Sequence, residues 1–125
     1  MLLEVAEAQV HYGKAAALKG VSMDVPEGGI VTIIGANGAG KSTTLRAISG
    51  LARLSGGEIR YDGHRIDRLA PEKIVARGIA HVPEGRRVFP DLTVEENLRT
   101  GAFLRRDPGG VEDDLEKAFS RFPRL

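Results

Sequence analysis

The chain contains no cysteine, which excludes a disulfide framework and a thiolate metal site and fits a reducing compartment. It carries almost no excess charge: 18 basic and 17 acidic residues leave a formal +1, spread along the chain. No basic stripe marks nucleic acid as the main partner. Long apolar runs are missing too, and Met1-Leu2-Leu3-Glu4 turns acidic too early for a secretory signal. The expectation is no direct membrane insertion, any membrane connection coming through a partner. Internal repeats, low-complexity tracts and flexible linkers are also absent. What is there, 42% hydrophobic and 28% charged residues over 125 positions, suits one folded domain with a real core. It is short for a nucleotidase.

One stretch stands out. Gly35-Ala36-Asn37-Gly38-Ala39-Gly40-Lys41-Ser42-Thr43 fits G-x-x-x-x-G-K-[ST] at every fixed position, a match expected by chance on the order of one percent of the time in such a chain. An apolar run, Ile30-Val31-Thr32-Ile33-Ile34, precedes it and helix-forming residues follow, which is the context the motif requires. Phosphates crowd several negative charges into a small volume. Glycine at 35, 38 and 40 leaves peptide N–H groups bare to meet them, so the loop reads as an anion nest. The helix starting near Lys41 adds its positive end, the Lys41 ammonium can reach the outer phosphates, and the Ser42 hydroxyl is placed to ligate Mg²⁺. The site is read as one for a nucleoside triphosphate.

The rest of the chain supports an α/β fold. Leu3, Val5, Ala8 and Val10 give an imperfect alternation, read as a strand over residues 2–12, and Val21, Met23 and Val25 give a second strand ending at Pro26. The 30–34 run is apolar almost throughout and predicts a strand buried on both faces of a parallel sheet. After the loop, a helix presents Leu45 and Ile48 inward and stops at Ser49-Gly50. Ile59-Arg60-Tyr61 alternates into an Asp62-Gly63 hairpin turn. Pro71 opens a short helix through Arg77 with Ile74 and Val75 inward, and Ile79–Val82 predicts another buried strand. Glu84–Pro90 has the makeup of an exposed functional loop. Thr93 and Glu96 form a capping box, Asp107-Pro108-Gly109-Gly110 breaks the helix it opens, and from Val111 a last helix turns Leu115, Ala118, Phe119 and Phe122 to one face. His11, His64 and His81 match no metal-ligand spacing and read as ordinary histidines.

Taken together, the Gly35–Thr43 loop, the Gly56–Gly63 hairpin, Val82-Pro83-Glu84-Gly85-Arg86-Arg87-Val88-Phe89-Pro90 and Leu92-Thr93-Val94-Glu95-Glu96-Asn97-Leu98 resemble the ATP-binding cassette transporters. More narrowly they are similar to the ATP-binding subunits that drive branched-chain amino acid uptake in bacteria. Leu54-Ser55-Gly56-Gly57-Glu58 spells that family's signature, yet an alternating strand follows it where a true signature would open a helix, so it is read as a decoy. The resemblance implies a P-loop NTPase (RecA-like) core, an N-terminal antiparallel β subdomain and the start of a helical subdomain. It implies that residues 1–125 are the N-terminal part of a single nucleotide-binding domain, with the genuine signature, the Walker B carboxylates and the switch histidine downstream.

By the same resemblance the ligands are ATP and Mg²⁺. Tyr12 stacks on the adenine, and Gly35, Asn37, Gly38, Ala39, Gly40, Lys41, Ser42 and Thr43 hold the phosphates. Ser42 and Glu84 meet the metal, Glu84 standing where the wider family has glutamine, and Lys41 and Glu84 are the catalytic candidates. Arg86, Arg87 and Phe89 would face a membrane permease. The implied partners are a second ATP-binding subunit and permease subunits, at the inner face of the cell membrane on the cytoplasmic side. A non-catalytic nucleotide-binding or interaction module, an ABC ATPase for another small solute, and an unrelated P-loop kinase or GTPase are the alternatives. The last is disfavoured by the lack of an N-K-x-D run.

Overall fold

The computed structural model describes residues 1–125 and divides them into two compact units, Met1–His81 and Val82–Leu125. In the first unit β1 (Leu3–Tyr12), β2 (Ala15–Val25), β3 (Gly56–Tyr61) and β4 (His64–Arg65) form one sheet in the order β2-β1-β3-β4. Every pairing in it is antiparallel. Two helices belong to the same unit, α1 (Lys41–Ile48) and α2 (Pro71–Ala76). The core gathers Val5, Ala8, Val10, Leu18, Ala47, Ile48, Ile59, Ile66 and Ile74.

The irregular alternation in β1 has a structural cause. Val5 and Ala8 are both buried although three positions apart, which a regular strand forbids because its faces alternate every residue. A bulge at Ala6 and Glu7 inserts the extra residue: both ladders shift register there, and Glu7 takes a φ of 49°. The Ser22 hydroxyl accepts from the Glu7 N–H at 2.9 Å and donates to its carboxylate at 3.0 Å. Across the other ladder stands Gly57, at φ 82°, where an added Cβ would lie 2.2 Å from the Glu7 carbonyl oxygen. Only glycine fits there, so the glycine pair of the signature look-alike serves the sheet. The decoy reading of Leu54–Glu58 holds, since Gly56–Tyr61 is β3. Asp62 and Gly63 both have positive φ (50° and 79°) at the β3–β4 turn, as a two-residue hairpin favours.

Two predicted strands are corrected. Residues 30–34 and 79–82 carry no strand structure, and Ile30 is 96% exposed and Val82 90%. A strand exists through its ladder, and no strand among residues 1–125 lies beside either run. Apolar composition therefore produced no buried strand. Leu45 and Val75, expected inward, are exposed, while Thr44 and Ala47 join Ile48 on the buried side of α1. The Thr44 hydroxyl donates to the Gly40 carbonyl at 2.8 Å, which makes its burial tolerable.

The second unit comprises α3 (Val94–Thr100) and α4 (Pro108–Arg121). Thr93 caps α3, its hydroxyl accepting from the Glu96 N–H at 3.1 Å, without a return bond from the Glu96 side chain. Asp107–Gly110, read as a breaker, instead launches α4: Asp107 is its N-cap and Pro108 sits in the first turn, where the missing N–H costs nothing. The helix α4 buries Leu115, with Val111, Ala118 and Phe119 half-buried on the same face and Phe122 exposed. Arg105 donates to Asp107 at 2.9 and 2.6 Å and also to Asp114. These hydrogen bonds hold both carboxyls below the usual carboxylate range.

Asn97 shapes the segment before α3. Its side-chain oxygen accepts from the Phe89 N–H at 2.8 Å, and its amide nitrogen faces the carbonyls of Phe89, Leu92 and Thr93 at 3.1, 3.3 and 2.8 Å. One side chain thus ties both backbone groups of Phe89 to the helix start.

Two outcomes test these assignments. Gly57→Ala should destabilise the chain by about 2–3 kcal/mol through positive φ and collision with β1, read as a lower urea midpoint. Replacing Asn97 by Ala should speed amide hydrogen exchange of residues 88–92 several-fold while leaving β1–β3 protected.

Candidate functional site

The phosphate loop is built on β2. Gly40, at φ 98°, is the N-cap of α1, and a Cβ on it would lie 2.7 Å from the Leu18 Cδ2 and 3.1 Å from the Ala17 carbonyl oxygen. The absent side chain lets the loop backbone rest on that strand. Gly38 is left-handed as well, at φ 85°, so two residues of the loop hold conformations that L side chains rarely adopt. At Gly35 a Cβ would stand 3.1 Å from that of Ala39, so the two limbs of the loop approach closely. The Ala39 N–H donates to the Ala36 carbonyl at 3.1 Å, closing the tight bend.

No side chain caps α1. The first N–H groups of a helix have no intrahelical acceptor, and with the macrodipole they leave partial positive charge at residues 41–43. The Lys41 ammonium reaches across and donates to the Gly35 carbonyl, so the cation is already held at the loop. The Ser42 side chain is exposed at the same helix end and makes no internal hydrogen bond. Alongside, Ala16–Val21 of β2 and Gly38-Ala39 bound a cavity of about 510 Å³. These features fit a magnesium-bound polyphosphate. Bare amides and one ammonium meet the phosphate charge, and a lone hydroxyl suits a metal that takes most of its ligands from phosphates and water. No cluster of three histidine, cysteine or acidic groups offers a protein-only metal site.

The other site residues fall where the sequence indicated, with less around them. Asn37 and Thr43 belong to the loop and the first turn of α1. Tyr12 ends β1 opposite Ala15 and is half exposed, and it does not line the 510 Å³ cavity. In the second unit Glu84 is exposed, with a side chain that makes no hydrogen bond, while its carbonyl accepts from Arg87 Nε at 3.1 Å. Gly85, Arg86 and Arg87 take φ of 86°, 64° and 40° in succession, a strained run of the kind found in functional loops. Val88 and Phe89 are exposed beside it.

Sequence reasoning missed Asn97 as the residue that pins this loop; the signal was an amide four residues into a capped helix. It also undervalued Gly57, seen only as part of a decoy. The histidines each share a hydrogen bond with a protein group, His11 with Ser55 at 2.6 Å, His64 with the Asp62 carbonyl at 2.9 Å and His81 with Ser49 at 3.0 Å.

The family model for ABC transporters matches residues 18–124. The high-affinity branched-chain amino acid transport ATP-binding protein BraG of Pseudomonas aeruginosa is 46% identical over 124 residues, covering 99% of this chain and 53% of that protein. The probable branched-chain amino acid transport ATP-binding protein LivF of Archaeoglobus fulgidus is 36% identical over 99% of this chain and 52% of its own length. The chain thus spans about half the length of the curated relatives it matches. Among solved structures, the dimeric post-hydrolysis state of the ATP-binding cassette MJ0796 bound to ADP and Pi superposes with a TM-score of 0.72. It is 26% identical and covers 83% of this chain and 48% of that one. The likeness carries the P-loop, RecA-like cassette fold with its N-terminal antiparallel sheet. On the match over residues 18–124, and on the loop geometry that agrees with it, the chain belongs to the ABC transporter family.

Proposed function

We propose that the chain is the N-terminal part of a single nucleotide-binding domain, in an ATP-binding subunit that couples ATP binding and hydrolysis to import of branched-chain amino acids through a membrane permease. The observation that carries the reading is the Gly35–Thr43 loop, where two left-handed glycines, an uncapped α1 and the Lys41 ammonium occur within nine consecutive residues. The 46% identity to a branched-chain amino acid transport ATP-binding protein supports the choice of solute.

In this reading ATP brings the phosphoanhydride and Mg²⁺ screens its charge. The residues of the chain bind and orient. Amides of Gly38, Gly40, Lys41, Ser42 and Thr43 surround the phosphates, with Gly35, Asn37 and Ala39 shaping the loop, the Ala39 N–H being engaged with the Ala36 carbonyl. Lys41, which donates to the Gly35 carbonyl, would turn to the outer phosphates, and Ser42 would offer its hydroxyl to the metal. Phosphoryl transfer depends mainly on positioning and charge stabilisation, so these contacts are what the loop contributes to catalysis. Tyr12 supplies an aromatic face for the adenine. Glu84 is the second metal ligand, a carboxylate binding Mg²⁺ more strongly than an amide would.

Arg86, Arg87 and Phe89 suit docking to a permease, since arginine and aromatic side chains are enriched where interfaces bury surface. A second ATP-binding subunit completes the nucleotide sandwich, a reading supported by the dimeric cassette bound to ADP and Pi. No helix is long and apolar enough to cross a membrane. Attachment at the inner face of the membrane, in the cytoplasm, then runs through the permease.

Calorimetry on the 125-residue chain should find Mg²⁺-dependent ATP binding that weakens by at least about tenfold in Lys41→Ala, the value expected for loss of one charge-assisted contact. Equal affinity in both proteins would defeat the site assignment. Gly40→Ala should weaken ATP binding as well, because its Cβ collides with Leu18 and Ala17. It should also lower stability by about 1–3 kcal/mol, read from urea denaturation.

A further inference from the structure

One polar side chain lies in the core among residues 1–125. Thr44 is 3% exposed, on the same buried stripe of α1 as Ala47 and Ile48. A hydroxyl on that stripe costs stability unless it is bonded, and an apolar residue would fill the place without that demand. Its partner is the Gly40 carbonyl, to which it donates at 2.8 Å. The Thr44 N–H donates to the same oxygen at 2.9 Å. A carbonyl oxygen has two lone pairs, so one residue fills both acceptor positions of Gly40.

The consequence lies on the other edge of that peptide group. The Gly40 carbonyl and the Lys41 N–H belong to one planar trans unit and point in opposite directions. With the oxygen drawn along α1 toward Thr44, the Lys41 N–H projects off the N-terminal end of the helix, where neither a backbone carbonyl nor a capping side chain accepts it. Nothing in Gly40 itself enforces this. Its φ of 98° calls for a residue without a Cβ, and the same freedom lets the peptide between residues 40 and 41 rotate at little steric cost. A rotated peptide would present a carbonyl oxygen where a phosphate oxygen is to sit, replacing attraction with repulsion. Threonine in a helix commonly bonds back to the fourth preceding carbonyl and so satisfies its own hydroxyl. Here the carbonyl it finds is the one whose peptide carries the first amide of α1.

We propose that Thr44 is a positioning residue for nucleotide binding: its hydroxyl, together with its N–H, locks the Gly40–Lys41 peptide so that the Lys41 amide faces the phosphates. Thr44 touches no ligand itself. The inference rests on the reading of the Gly35–Thr43 loop as the phosphate site.

The test is calorimetry of MgATP binding by the 125-residue chain, with the Lys41 amide proton followed by resonance spectroscopy of the isotopically labelled protein. Thr44→Val keeps the shape and removes the oxygen. It should weaken MgATP binding about three- to tenfold, the range for one hydrogen bond, and shrink the downfield displacement of the Lys41 amide proton at saturation. Thr44→Ser keeps the oxygen and should hold affinity within about twofold of wild type. Thr44→Ala should match Thr44→Val and keeps the measurement usable should that variant fail to fold. Wild-type affinity in the variants without the hydroxyl overturns the proposal, and so does a loss of affinity with the Lys41 displacement intact. An equal loss in Thr44→Ser assigns the effect to packing and overturns it too. Lys41→Ala separates this inference from the site reading. If it weakens binding while Thr44→Val does not, the positioning role alone fails; if it leaves binding unchanged, both fail.

Discussion

The contact on which the rest depends is the seat of Gly40 on Ala17 and Leu18 of β2. A loop of this kind has little structure of its own to hold its amides in place: most of its residues are small, and no side chain caps the helix it opens. Something rigid must lie beneath it. Here that is a strand with Leu18 fully buried, and the loop reaches it because residue 40 has no side chain. Thr44, buried one turn further on, returns a hydroxyl bond to the same Gly40 carbonyl. The loop is thereby pinned from below by packing and from α1 by hydrogen bonding.

That strand is in turn positioned by an irregularity. The bulge at Ala6-Glu7 resets the phase of β1 so that Val5, Ala8 and Val10 all reach the core, and it shifts the register of the ladder that carries β2. Ser22 on β2 and Gly57 on β3 hold the bulge from both sides. The glycines of this chain therefore divide by task. Gly38 and Gly40 hold left-handed backbone in the loop, while Gly57 makes room for a neighbouring backbone, and a motif search alone weights the two tasks wrongly.

How much of this was legible depended on the range of the physics involved. The bend of the Gly35–Thr43 loop and the start of α1 were readable because left-handed glycines and a helix start act within nine consecutive residues. The Asp62-Gly63 turn and the Thr93 cap were readable for the same reason. Residues 30–34 and 79–82 were not, since an apolar run states an appetite for burial without naming the strand that would satisfy it. Leu45 and Val75 sit at helical spacing yet one step outside the buried stripe, a difference of angle that only the packing partner decides. Pro108-Gly109-Gly110 reads as a breaker or as a first turn with equal ease, and Asp107 at the N-cap settled it. Asn97 was hidden because an amide's value lies in the carbonyls brought to it by a segment four to eight residues back in the chain.

The account stands or falls on whether backbone amides, more than side chains, hold the phosphates. The most direct measurement is the amide nitrogen–proton correlation spectrum of the isotopically labelled chain during titration with MgATP. The account predicts that the amide protons of Gly38, Gly40, Lys41, Ser42 and Thr43 move downfield together as they take up charged acceptors, with those of β3 and β4 unmoved. A titration that saturates while these resonances stay in place, the shifts gathering elsewhere on the chain, would contradict it.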